Sequence, residues 1–363
     1  MPTFTESVIP IIAMMVILTV GKGYLGYATE PLLLLVAAIA GLIAYRVGVT
    51  WDEMMDEICQ KIAKGMPAIL ILTCVGALVG TWMASGTIPM MIYYGVQIVN
   101  PTFMLVTAFL ITAVVSIVTG TSWGSVATMG VALMGIASTL GVNLAATAGA
   151  VIAGSYFGDK ISPLSETTIL ASSITDVPLF RHIRYMLITT TPSLIITLTI
   201  FTVMGFVIET NSTAHMEDFA TSLKDTFTIT PWLLIVPLVT GILIARKVPS
   251  IITLFISTML AGICAIIFQP DLLREIAGEN NIFKGVMMTF YGSTGLDTGN
   301  SMLTDLVSTR GMAGMMDTVW LILCAMCFGG AMTASGMLGS ITSVFVRFMK
   351  GRVSVVASTV CSC

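Results

Sequence analysis

Long apolar runs, separated by short polar stretches, recur along nearly the whole chain. Several are ~17–20 residues long, enough to carry an α-helix across a bilayer. The pattern predicts spans near 8–21, 31–46, 67–83, 101–119, 124–140, 143–157, 185–208, 231–245, 249–268, 285–296 and 317–335, with a partial segment from 353 onward. Membrane strands would alternate polar and apolar at period two, and these runs do not. The stretch 88–99 is short for a span and suits half of a broken or re-entrant helix; 285–296 is equally short. Trp51 to Lys64 opens with Asp52, Glu53, Asp56 and Glu57 and closes with Lys61 and Lys64. That order complements the helix macrodipole, and a short interfacial helix is expected there.

Composition narrows the class. Of 363 residues, 56% are hydrophobic and only 10% charged, and the mean hydropathy is +0.98. A soluble domain carries about 25% charged residues. The expectation is an all-α polytopic membrane protein, embedded in a lipid bilayer. No basic patch points to nucleic acid. The first run, Val8 to Val20, lacks a cationic leader and a cleavage site, so it is expected to remain as a helix. Cys74, Cys264, Cys324 and Cys327 lie in apolar runs and act as small hydrophobes. Cys324-x-x-Cys327 has no second pair, and the chain has two histidines, so neither a metal site nor a cofactor is expected. The five tryptophans mostly lie near span ends and suit interfacial anchors.

Basic clusters at Arg46/Lys61/Lys64, Arg181/Arg184, Arg246/Lys247 and Arg347/Lys350/Arg352 can all be placed on the cytoplasmic side. The acidic loop 209–230 then falls outside and the N-terminus inside. Gly80-Thr-Trp-Met-Ala-Ser-Gly86 matches Gly330-Ala-Met-Thr-Ala-Ser-Gly336, with Cys74 and Cys324 at the same spacing. Pro31 and its apolar run resemble Pro249 and its run, but Arg46 closes the first whereas Arg246 and Lys247 open the second. Two copies crossing in opposite senses make an inverted repeat, a plan that secondary transporters use. One copy would lie within residues 1–230, starting near 31, and an incomplete one within 231–363. The counterparts of segments 119–125 and 158–168 would fall past Cys363, so the second repeat is expected to be truncated.

The densest chemistry lies in Gly158-Asp159-Lys160-Ile161-Ser162-Pro163-Leu164-Ser165-Glu166-Thr167-Thr168. Ionisable groups at bilayer depth are costly and mark function by default. Pro163 interrupts a helix and frees backbone groups. Sodium, a hard cation, takes oxygen ligands, as calcium and magnesium do. Asp159, Ser162, Ser165, Glu166 and Thr167 offer them. A carboxylate withdrawn from water holds a proton more readily, and a second carboxylate adds to this. Sodium and a proton competing for Asp159 suffice for antiport, with Glu166 coupled to it. The plainer alternative is a surface loop with a salt bridge.

Two further tracts matter. Thr119 to Ser125 joins two spans through hydroxyls and glycines, as a site-lining break would. Its Gly120-x-Ser122-x-Gly124 also fits a hydrolase nucleophile elbow, but that motif needs a preceding strand and a His–acid pair, so no enzyme is expected. Asp297, Asn300 and Asp305 form a possible second polar cluster, either a second break near the site or a solvated loop.

On Gly80 to Pro89, Thr119 to Ser125, Gly158 to Thr168 and Trp320 to Gly330, the chain resembles the NhaC-type sodium/proton antiporter family. The resemblance implies a multi-pass exchanger of the bacterial inner membrane with an inverted-repeat, ion-transporter-type fold. It implies contacts to ion or substrate at Thr121, Ser122, Asp159, Ser162, Ser165 and Thr167. The family also includes exchangers of malate and protons for lactate and sodium, which gives the alternative substrate class. The 298–312 stretch departs from the family pattern in spacing and acidity. Exchangers of related architecture often form homodimers, though no residue pattern here specifies one.

Overall fold

The computed structural model describes residues 2–348 apart from 121, 164, 166, 169, 170, 173–176, 208–220, 247, 293, 297, 299–302, 305 and 306. Among these, helices follow one another with no strand. In chain order they are α1 (Phe4–Leu18), α2 (Thr29–Arg46), α3 (Trp51–Ala84), α4 (Thr87–Ile98), α5 (Met104–Thr119), α6 (Ser122–Ser125), α7 (Val131–Thr139), α8 (Leu144–Ile161), α9 (Leu179–Val207), α10 (Ile235–Ala245), α11 (Ser250–Phe268), α12 (Pro270–Ala277), α13 (Ile282–Tyr291), α14 (Met316–Ala334) and α15 (Met337–Phe348). Six described helices are long and apolar enough to cross a membrane. The pair Thr87–Ile98 and Pro101–Ile117, bent by 112°, adds a seventh if it is one span. The chain is an all-α polytopic membrane protein.

Three local expectations change. The acidic stretch at Trp51 is not a separate interfacial helix. It is the start of the 34-residue α3, which runs on through Pro67. At 1.5 Å per residue such a helix is ~51 Å long, well beyond a hydrocarbon core of ~30 Å, so its charged first turns can lie outside the apolar layer. The Thr50 hydroxyl and backbone N–H donate to Glu53 at 2.9 and 2.8 Å and fix where it begins. Pro67 does not break it, because membrane helices tolerate proline where neighbours satisfy the freed carbonyl. Residues 124–139 stay helical, but a π-helical turn at Val126–Gly130 separates the single turn α6 from α7. Trp82 is not an interfacial anchor. It is wholly buried, and its indole N–H donates to Ser257 at 3.0 Å.

The described residues cluster into two compact units, Met1–Leu70 with Met316–Cys363, and Ile71–Met315. In the first, Ala40, Ala331, Met332 and Met337 form the core, and α2 packs along α14. In the second, Trp82, Met83, Ile88, Met104, Phe109, Leu133 and Leu303 belong to one buried cluster.

The sequence repeat has a local structural counterpart. The α3–α4 and α14–α15 turns both place a glycine in the left-handed region, Gly86 at φ 82° and Gly336 at φ 73°. In both, the preceding serine hydroxyl donates to the carbonyl three residues back at 3.1 Å, Ser85 to Trp82 and Ser335 to Met332. In both, the glycine carbonyl accepts from the residue four on, Met90 at 2.8 Å and Ser340 at 3.1 Å. A residue with a Cβ pays a steric cost in that region that glycine avoids.

Candidate functional site

The site grows from the pairing of α5 with α8. These helices approach closely because Gly154 and Gly158 present no side chain. A Cβ on Gly158 would run into the Ala113 carbonyl and lie 2.7 Å from Ser116 Cβ, and one on Gly154 would meet the Phe109 carbonyl. Small residues four apart let membrane helices touch backbone to backbone. The hydroxyls then bond across the seam. Ser116 Oγ donates to the Ser155 carbonyl at 2.6 Å, and Ser162 Oγ donates to the Ile117 carbonyl at 2.7 Å.

Both helices stop at the same level. α5 ends at Thr119. α8 ends at Ile161, and Ser162 takes an extended conformation at ψ 128°. Pro163 accounts for the stop, since the residue before proline is steered away from helical backbone. Beyond the break, Ser165 Oγ and Thr167 Oγ1 lie 2.8 Å apart. Thr168 Oγ1 donates to the Asp159 and Lys160 carbonyls at 3.2 Å each, satisfying part of the helix end. Two polar breaks, after α5 and after α8, are thus tied together by Ser162.

Asp159 lies in the last turn of α8 and is half-buried, as is Ser122 at the start of α6. Ser162 and Ser165 are fully buried, and Thr167 is exposed. The structure therefore gathers Asp159, Ser162, Ser165 and Thr167 at the α8 break, and α6, which begins with Ser122, packs against α8. Thr121, Glu166, Asp297, Asn300 and Asp305 lie outside the described residues. Around that last group, Leu296, Leu303 and Val307 are buried, and Thr294 Oγ1 donates to the Val307 carbonyl at 2.7 Å. The described part of this segment alternates these buried residues with the exposed Gly295 and Ser308.

Sequence reasoning missed Ser116, Ser155 and the Ile117 carbonyl. A single serine in an apolar run carries little signal, and a backbone carbonyl carries none. The Gly154-x-x-x-Gly158 spacing would have pointed to a close helix pair. The nucleophile-elbow pattern at Ser122 follows helix α5, not the strand it needs.

The profile of the Na+/H+ antiporter family matches residues 6–176 and 154–363. The chain belongs to the Na+/H+ antiporter family. As an antiporter-family member it is a transporter by descent. Over 364 residues it is 40% identical to an uncharacterized Na(+)/H(+) antiporter of Haemophilus influenzae, covering 99% of this chain and 76% of the relative. The malate-2H(+)/Na(+)-lactate antiporter of Bacillus subtilis is 37% identical over 88% of this chain and 67% of its own length. The Na(+)/H(+) antiporter NhaC of the same organism is 34% identical over 92% of this chain and 72% of its own length. No solved structure matches the chain.

Proposed function

We propose that this member of the Na+/H+ antiporter family exchanges sodium for protons across the bacterial cytoplasmic membrane, with Asp159 as the group both cations use. One observation carries the reading. A half-buried carboxylate stands in the last turn of α8, where that helix and α5 both break and are joined through Ser162 and Ile117. Broken helices at a transport site expose carbonyls to a cation while the rest of the bundle stays apolar. Ser122, Ser162, Ser165 and Thr167 supply hydroxyl oxygens, the ligand type a hard cation takes. Glu166 and Thr121 belong to the same two segments and complete the proposed set. Asp159 carries either a sodium ion or a proton. Exchange follows if the site opens to one side at a time and reorients only when occupied. The matching α3–α4 and α14–α15 turns support a structural repeat within the chain.

The malate/lactate exchanger among the relatives supports a second reading, sodium- and proton-coupled exchange of organic acids. The test is flux in sealed vesicles holding the purified protein and a pH-sensitive dye. Sodium alone should drive proton movement. If movement requires malate on one side and lactate on the other, the second reading replaces the first.

A further inference from the structure

Helix α8 carries a second buried oxygen one turn from Asp159. Ser155 is wholly buried, and its Oγ has no hydrogen-bond partner among the described residues. A hydroxyl left so in an apolar surrounding is costly. The backbone settles which way it faces. Gly154 and Gly158 turn toward α5. Val151, four residues before Ser155, faces Gly130, where a Cβ would come within 3.0 Å of Val151 Cγ1. Residues four apart share a helix face. Val151, Ser155 and Asp159 therefore form one line along α8, facing the segment that contains α6 and the π-helical turn Val126–Gly130. A π turn shifts hydrogen bonding to the fifth residue, loosens the local carbonyls and recurs at functional sites.

We infer that Ser155 Oγ is a direct ligand of the transported sodium ion. The site then extends one helical turn inward from Asp159, walled by the backbone of 122–130. This rests on the reading of Asp159 as the shared carboxylate. A hydroxyl oxygen binds sodium well but is far too weak a base to hold the exchanged proton. Ser155 therefore sets sodium affinity and leaves proton affinity alone.

The experiment measures sodium KM for dye-reported proton flux at several pH values, in vesicles holding the wild-type protein, S155A, S155C or D159N. S155A and S155C should raise sodium KM about tenfold or more, by the same factor at every pH. Their melting temperatures without sodium should not fall, because neither loses a protein hydrogen bond from Oγ. The rise in melting temperature on adding sodium should shrink in both. S155C keeps the volume but replaces a hard oxygen with a soft sulfur. An unchanged sodium KM in either variant means that Ser155 holds a trapped water only, and the inference is overturned whatever D159N does. If D159N transports normally while S155A and S155C show raised KM, Ser155 stands as a ligand and the role given to Asp159 falls.

Discussion

Ser162 Oγ donates to the Ile117 carbonyl at 2.7 Å, joining residues 45 apart in the chain. Ser162 closes α8 and Ile117 lies in the last turn of α5, so this bond ties the two helix breaks together. Replacing Ser162 with alanine removes it. We expect a stability loss of about 1 kcal/mol, the net worth of one such bond. Sodium KM should rise roughly fivefold if that energy also positions the site. Thermal unfolding and flux assays on S162A check both.

The α5–α8 seam predicts contrasting effects of glycine substitution. A methyl group at Gly158 meets the Ala113 carbonyl and Ser116, and backbone cannot give way cheaply. G158A should cost about 1–3 kcal/mol through overpacking and should depress transport by forcing the two breaks apart. Gly149 lies on the same helix with nothing within 4 Å of a built Cβ. G149A should be neutral or slightly stabilising. Equal effects of the two substitutions would contradict the close approach.

The repeated turns predict a graded response. Gly336 has open space around a built Cβ, so G336A bears only the left-handed backbone cost of about 1–2 kcal/mol. At Gly86 a Cβ would also lie 2.5 Å from Gln269 Nε2. G86A should be the more damaging of the two. Comparing the two melting temperatures tests this.

Much of the fold was legible in residue pattern, because span length and hydropathy are direct statements about solvent. The break at Pro163 was legible too, since proline has few options within a helix. The break between 87–98 and the following helix was legible as a stretch too short to cross. What the pattern hid has physical reasons. Pro67 looked like a boundary, but in a membrane bundle the backbone group it frees can be satisfied by neighbours. The π turn at 126–130 was hidden because it changes hydrogen bonding without changing composition. Trp82 looked interfacial by its place near a span end, yet Ser257 accepts its N–H inside the bundle. Ser116 and Ser155 were invisible because their importance comes from which helix stands opposite.

Competition at one carboxylate fixes a pH dependence. Lowering the pH adds protons to the site and displaces sodium, so sodium KM should rise as pH falls. Where the site is mostly protonated, the rise should approach about tenfold per pH unit, and by reciprocity sodium should weaken proton binding by the same factor. Sodium titrations of flux across pH test this. A sodium KM independent of pH would mean that the two cations use separate sites.

The central claim is tested most directly by sodium-evoked proton flux in sealed vesicles containing D159N. The amide cannot carry the exchanged proton and is a weaker sodium ligand. The account predicts no flux above empty vesicles, in a protein that melts close to the wild-type temperature. Flux at the wild-type rate would contradict it, and the shared site for sodium and protons would have to be sought on another residue.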